Sequence, residues 1–139
     1  MPLLTKGFFT YYGAIAGVAR LRSSQGGSTV IPVSPPLADS FVLGDGTGSS
    51  GFVGVALVNP TSSNVAVTLQ ALSLDGSVAA TAGVVLTAGQ VVSQLTTQLF
   101  ATPLPAQLVI RVTSSAPIAV AAISGSATSD QFRSLPVLR

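Results

Sequence analysis

The stretch GVALVNPTSSNVAVTLQALSLDGS, Gly54–Ser77, decides the fold class. Two apolar runs flank the segment Asn-Pro-Thr-Ser-Ser-Asn, and the second run ends in Asp75-Gly76. Proline and asparagine favour turns, and Asp-Gly favours a tight hairpin connection. In the second run, alternate residues form an apolar face consisting of Val65, Val67, Leu69 and Ala71. This period of two predicts two strands joined by a turn and followed by a hairpin.

The same alternation recurs along the rest of the chain, with turn residues between the runs. The further strand candidates are 7–13, 15–22, 28–33, 51–59, 77–86, 106–114, 117–125 and 131–138. The turn candidates are 23–27, 35–36, 60–64, 75–76, 88–89, 102–105 and 114–117. Many short strands with this punctuation predict an all-β protein, an antiparallel β-sandwich of immunoglobulin-like or related type.

One segment has a different spacing. In GQVVSQLTTQLF, residues 89–100, the positions of Leu95 and Leu99 match one face of a helix. We therefore expect a short helix near 90–99, and further strand is the alternative.

Several residue types are missing from the composition, which excludes several kinds of chemistry. The 139 residues include no Cys, no His and no Trp, and the four acidic residues are all Asp. A catalytic triad, a thiolate metal site and a disulfide framework are excluded. We expect no enzymatic activity and no cofactor. A net charge of +2 from scattered residues does not form a nucleic-acid footprint. The longest apolar run near the start, 7–19, is too short to span a bilayer.

The surface must be unusual, because only 7% of the residues are charged and 47% are hydrophobic. Ordinary soluble surfaces are roughly a quarter or more charged. Either Ser and Thr in the turns keep this chain soluble, or much of its surface is buried against copies of itself.

The two ends of the chain are alike in order. Residues 7–33 and 117–139 each contain an apolar run that reaches a Gly, then a polar link, then a short strand ending in Ile-Pro-Val or Leu-Pro-Val. The chain therefore consists of half a repeat, 1–33, and one complete unit, a β-sandwich domain over 34–139. Duplicate strands cannot occupy one position twice. They either extend the sandwich or are donated to a neighbouring copy.

Several turn motifs carry a family resemblance. They are the string from Gly54 to Gly76, LTAGQ at 86–90, Gln98-Leu99-Phe100, VTSSAPIAV at 112–120 and the final Leu-Pro-Val. The chain resembles a β-sandwich repeat found in tandem in large secreted bacterial surface proteins. The resemblance covers most of 51–138, and 4–33 looks like the tail of a preceding unit. It implies an extracellular module of structural or adhesive type, and it does not by itself imply any activity.

Two loop features could bind ligands. Gly46, Gly48 and Gly51 form a G-x-G-x-x-G, but the loop leads into an apolar strand, and a dinucleotide site needs a helix there. Asp39 and Asp45 flank this loop and are metal candidates, although a calcium site wants more oxygen ligands than two carboxylates. Solvated loop acids or Asx-turn formers explain both residues better, so we expect no metal site.

The aromatic residues cluster near the start. Phe8 and Tyr12 share one strand face, and Phe9 and Tyr11 share the other. A strand that is aromatic on both faces needs a covering partner on each. We therefore predict an assembly interface formed by Phe8, Phe9, Tyr11, Tyr12, Ile15 and Val18. The alternative is a platform on which sugar rings stack.

These observations lead to one functional prediction with two alternatives. The chain is a structural subunit of an extracellular or cell-surface filament or assembly, and it self-associates by β-strand donation or sheet-edge pairing. Its partner is then a second copy of itself, with no nucleic acid and no membrane span. The first alternative is a monomeric module of a secreted protein that binds carbohydrate or surface glycans. The second is a β-rich capsid or decoration subunit.

Overall fold

The structure is a computed structural model, and it describes residues 4–8, 18–23, 28–32, 35–43, 51–105, 107–126 and 132–139. Eleven strands and one four-residue helix lie within these residues. The strands are β1 Leu4–Phe8, β2 Val18–Ser23, β3 Ser28–Pro32, β4 Leu37–Leu43, β5 Gly51–Val58, β6 Val65–Leu72, β7 Val78–Leu86, β8 Val91–Leu95, β9 Val109–Ser126, β10 Phe132–Ser134 and β11 Val137–Leu138. The helix, α1, is Thr96–Leu99.

The first three strands form a sheet of their own. β2 pairs antiparallel with β1 on one side and with β3 on the other. β3 also contacts β10 and β9.

The other eight strands form one hydrogen-bonded network that divides at β9. The first part of β9 pairs with β4 and β6, and β11 and β7 extend these pairs outward. We call this set, β11-β4-β9-β6-β7, the β7 branch. The second part of β9 pairs with β5 and β10, and β8 extends β5. We call this set, β10-β9-β5-β8, the β8 branch. Every pairing is antiparallel.

The main core contains side chains from both branches. Leu69, Leu86 and Ile110 come from the β7 branch, and Leu57 and Val120 come from the β8 branch. All five are at most 1% exposed. The all-β antiparallel class with one short helix is therefore confirmed. The sandwich stays an interpretation, which this shared core favours.

The predicted alternation in β6 is confirmed. Its burial pattern places Val65, Val67, Leu69 and Ala71 in the core and leaves the residues between them partly or fully exposed. The Asp75-Gly76 hairpin is also present between β6 and β7. Gly76 has a φ of +87°, a conformation that glycine adopts without a steric penalty.

Three local features differ from what the sequence pattern predicts. β4 has no counterpart among the strands predicted from the sequence; in this strand Ser40 is buried and Asp39 is paired across the sheet. The predicted turn at 114–117 lies inside β9, at the point where β9 passes from one branch to the other. Pro117 is tolerated there because this is where the pairing partners change. The short helix expected near 90–99 is confirmed at Thr96–Leu99, and it directly follows the strand β8.

The last correction concerns 131–138, which was predicted as one strand. Leu135 and Pro136 separate β10 from β11. β10 pairs with β9 in the β8 branch, whereas β11 pairs with β4 in the β7 branch. The end of the chain therefore crosses from one branch to the other.

Candidate assembly surface

The edge of the β7 branch is the most distinctive surface of the described residues. Among the described strands, β6 has neighbours on both sides, and β7 pairs with β6 alone. β7 is nine residues long, has the sequence VAATAGVVL, and contains no charged residue and no proline. Its first and eighth residues, Val78 and Val85, are 53% and 63% exposed. A long edge without charge or proline is an open template for another strand.

The other outer strands of the two branches are shorter. β11 has two residues and β10 has three, and short edge strands offer few free hydrogen-bonding groups. β8 has five residues, VVSQL, also without charge. Natural sheets protect their edges with charge, proline or short length, and β7 has none of these protections.

A hydrogen-bonded asparagine fixes one end of this edge. Asn59, which follows β5, is fully buried. Its Nδ2 donates to the carbonyl oxygens of Leu86 at 3.2 Å, Thr87 at 3.0 Å and Ser63 at 2.7 Å. Its Oδ1 accepts from the backbone N–H and the hydroxyl of Thr61, at 2.9 and 2.7 Å. One side chain therefore ties the end of β5 to the end of β7.

A hairpin fixes the other end of the edge. Asp75 Oδ1 accepts hydrogen bonds from the backbone N–H of Ser77 at 2.9 Å and from its hydroxyl at 2.6 Å. These bonds stabilise the carboxylate and hold the pKa of Asp75 below its usual value. The turn between β6 and β7 is therefore shaped by its own side chains.

The outer face of the β7 branch is polar at its centre. Arg111 on β9 donates to both carboxylate oxygens of Asp39 on β4, at 3.1 and 2.9 Å. The hydrogen bond from Arg111 is the main reason that the pKa of Asp39 is lowered, and the same bond raises the pKa of Arg111. The guanidinium also lies 5.8 Å from the centre of the Phe41 ring.

This ion pair bears on the metal prediction. The carboxylate of Asp39 is already held by Arg111, and Asp45 lies outside the described residues. The described part of the chain contains no group of three or more His, Cys, Asp or Glu residues placed to hold a metal ion. The glycine loop ends where β5 begins at Gly51, so a strand follows it and not the helix that a dinucleotide site needs.

The structure describes two of the six residues predicted to form an assembly interface. Phe8 is the last residue of β1, and Val18 is the first residue of β2. Phe9, Tyr11, Tyr12 and Ile15 lie outside the described residues. The interface predicted on these six residues therefore stays a prediction.

The sequence pattern predicts an interface on residues 8–18 and not on the edge of β7, because no local feature of a sequence shows that a strand lies at the edge of a sheet. VAATAGVVL was correctly predicted as a strand, but its place at the end of a branch depends on pairings with residues far along the chain. The absence of charge over nine residues was the one available signal.

Comparisons with known proteins add no assignment. No family model, no curated protein and no solved structure matches this chain. Within the residues that the structure describes, no helix is long and apolar enough to cross a membrane.

Proposed function

We propose that the protein is a structural subunit that associates with copies of itself by pairing sheet edges, within an extracellular fibre or surface assembly. The observation that carries the proposal is β7, a nine-residue edge strand with neither charge nor proline. The extracellular setting rests on the resemblance to secreted bacterial repeats.

Edge pairing is favoured over strand donation by the pairing of the first three strands. A donated strand must have free hydrogen-bonding groups on its edges. β2 is paired on both sides, with β1 and with β3. Among the described strands, β1 and β3 each have one unpaired edge, but both are only five residues long, β1 contains Lys6 and β3 ends in Pro32, whereas β7 has nine residues with neither charge nor proline.

The energetics predict reversible association through one such edge. A strand of nine residues forms about nine backbone hydrogen bonds with an added strand, and each contributes about 1 kcal/mol net. Loss of translational and rotational freedom costs roughly 4–15 kcal/mol. The two quantities are of similar size, so the association should depend strongly on concentration.

The test compares two lysine substitutions. Thr81 lies in β7 at the edge, and Thr68 lies in β6, one strand further in; both are exposed. A charge on an edge strand opposes pairing, whereas the same charge on a central strand leaves the edge unchanged. In sedimentation velocity and electron microscopy over a concentration series, Thr81→Lys should stay monomeric where the wild type and Thr68→Lys form larger species.

Two results would reject the proposal. One is a wild-type protein that stays monomeric at every concentration. The other is an equal loss of association in Thr81→Lys and Thr68→Lys, with both variants folded by circular dichroism, because that result would place the contact on the sheet face and not on its edge.

A further inference from the structure

The side chains of β7 change in size along the strand. After Val78 come the small residues Ala79 and Ala80, and the larger residues Val84 and Val85 lie near the end. The residues alternate between two faces, because Ala80, Ala82 and Val84 pack against the core while the residues between them are exposed. The exposed face presents Ala79, Thr81, Gly83 and Val85 in order, and on the core face Ala80 and Ala82 precede Val84 and Leu86.

We propose that β7 pairs antiparallel with β7 of a second copy, about a two-fold axis at Ala82. This inference rests on the proposed function and names the partner of the edge. Ala82 is the middle residue of Val78–Leu86, so among antiparallel registers this one alone sets all nine residues opposite a partner. The β7 branches of two copies then form one continuous sheet.

Antiparallel pairing about Ala82 sets a small residue opposite a larger one at three of the five distinct pairs. It places Ala79 opposite the second copy's Val85, and Thr81 opposite the second copy's Gly83. On the core side, Ala80 lies opposite the second copy's Val84. In these three pairs Ala79, Ala80 and Gly83 each meet a larger residue, which favours close packing of cross-strand neighbours, whereas Val78 meets Leu86 and Ala82 meets its own copy. Parallel pairing would set valine beside valine and alanine beside alanine, and parallel ladders are slightly less stable.

Charge does not oppose this contact at any position. β7 contains no ionisable side chain, so two identical strands meet without like-charge repulsion. A contact of this kind uses the same patch on both copies and closes at a dimer. Growth into a larger assembly then requires a second edge, and β8 is an uncharged edge strand at the end of the other branch.

Cysteine cross-linking tests the geometry directly, because the natural chain has no Cys. The variants are Ala82→Cys, Ala79→Cys and Val85→Cys, each carrying one thiol. Directly opposed residues in an antiparallel pair have Cα atoms about 5 Å apart, within disulfide range. The two copies of position 79 would be separated by six residues along the strand, about 20 Å. Each variant is oxidised alone, and an equal mixture of Ala79→Cys and Val85→Cys is oxidised as well.

The expected pattern is a disulfide dimer from Ala82→Cys alone and from the mixture, with none from Ala79→Cys alone or Val85→Cys alone. Dimers from all three single variants would mean parallel pairing and would overturn the inference. No dimer from any sample, while sedimentation still shows association, would overturn it and leave the proposed function standing. A monomer at all concentrations would overturn both.

Discussion

The two parts of β9 differ in how they are buried. In Val109–Ser114, residues 110 and 112 are buried and the residues between them are half-buried. From Ile118 to Ser124, every residue is buried. The first part has a core on one face only, whereas the second part packs against the main core on one face and against a second cluster on the other. One continuous strand thus has one-sided burial in the β7 branch and two-sided burial in the β8 branch.

This difference indicates which surfaces are available for contact. The outer face of the β8 branch is occupied by a second apolar cluster formed by Val58, Ala119, Ala121 and Ile123. The outer face of the β7 branch holds Asp39, Arg111 and exposed threonines. A polar face resists burial without paired hydrogen bonds, so association at the β7 branch should use the backbone at its edge and not its face.

The largest expected effect tests two-sided burial. Ile123 is 2% exposed on the outer face of the second part, and its Cγ1 lies 3.4 Å from the position that a Cβ on Gly54 would occupy. Ile123→Ala should lower the free energy of unfolding by about 3 kcal/mol, as removal of a core isoleucine does. Val109→Ala, on the outer face of the first part, should lower it by about 0.5 kcal/mol.

Urea unfolding of both variants measures the difference, with Ile110→Ala as the reference for the main core. Ile110 is fully buried, so its replacement should cost about as much as that of Ile123. If Ile123→Ala instead cost as little as Val109→Ala, burial in the second part would be one-sided, and the comparison between the two parts would fail.

A smaller effect on the free energy of unfolding is expected in the connection between β5 and β6, the strands that pair with the two parts of β9. β5 pairs with the second part of β9, β6 pairs with the first, and Asn59 lies between β5 and β6. Asn59→Ala should lower the free energy of unfolding by about 2 kcal/mol, because it leaves buried carbonyl and N–H groups without their partner.

Asn64→Ala is the matched control, since Asn64 lies in the same connection and is exposed. It should change the free energy of unfolding by no more than about 0.5 kcal/mol. Equal effects of the two substitutions in thermal and urea unfolding would mean that the hydrogen bonds of Asn59 do not stabilise the junction between the branches.

The sequence predicted what depends on local pattern and missed what depends on distant pairing. The period-two faces of β6 and of 108–112 were read correctly, because one-sided burial leaves alternation in the sequence. β4 was missed because buried Ser40 and charged Asp39 interrupt that alternation. Asp39 is tolerated there because it forms an ion pair with Arg111. The sequence pattern does not show this pairing, because the two residues lie 72 positions apart.

The same limit applies to the candidate surface. The scarcity of charge is explained either by Ser and Thr in the turns or by contact with another copy, and the predicted contact lies on the aromatic residues near the start of the chain. Which uncharged strand lies at an edge depends on the order of strands in the sheet, and the residues within VAATAGVVL do not encode that order.

The smallest expected effect is the pH dependence that the ion pair between Asp39 and Arg111, on the polar face of the β7 branch, gives to the free energy of unfolding. The pKa of Asp39 is lowered from its ordinary value of 3.8, chiefly by the hydrogen bond from Arg111. The ion pair therefore stabilises the fold fully above pH 3.8, and this stabilisation is lost as the pH falls through the lower folded-state pKa. Both side chains are exposed by more than a third, so solvent and salt weaken the effect.

In urea unfolding between pH 2 and pH 6, the free energy of unfolding should fall less steeply toward low pH for Asp39→Asn than for the wild type. Arg111→Met should show the same weaker pH dependence. The lowered pKa of Asp75 acts in the same direction, so Asp75→Asn is needed to subtract the contribution of the hairpin. High salt should reduce the contribution of the ion pair between Asp39 and Arg111. If Asp39→Asn left the acid dependence unchanged in low salt, the ion pair would not stabilise this face, and the polar outer surface of the β7 branch would rest on its threonines alone.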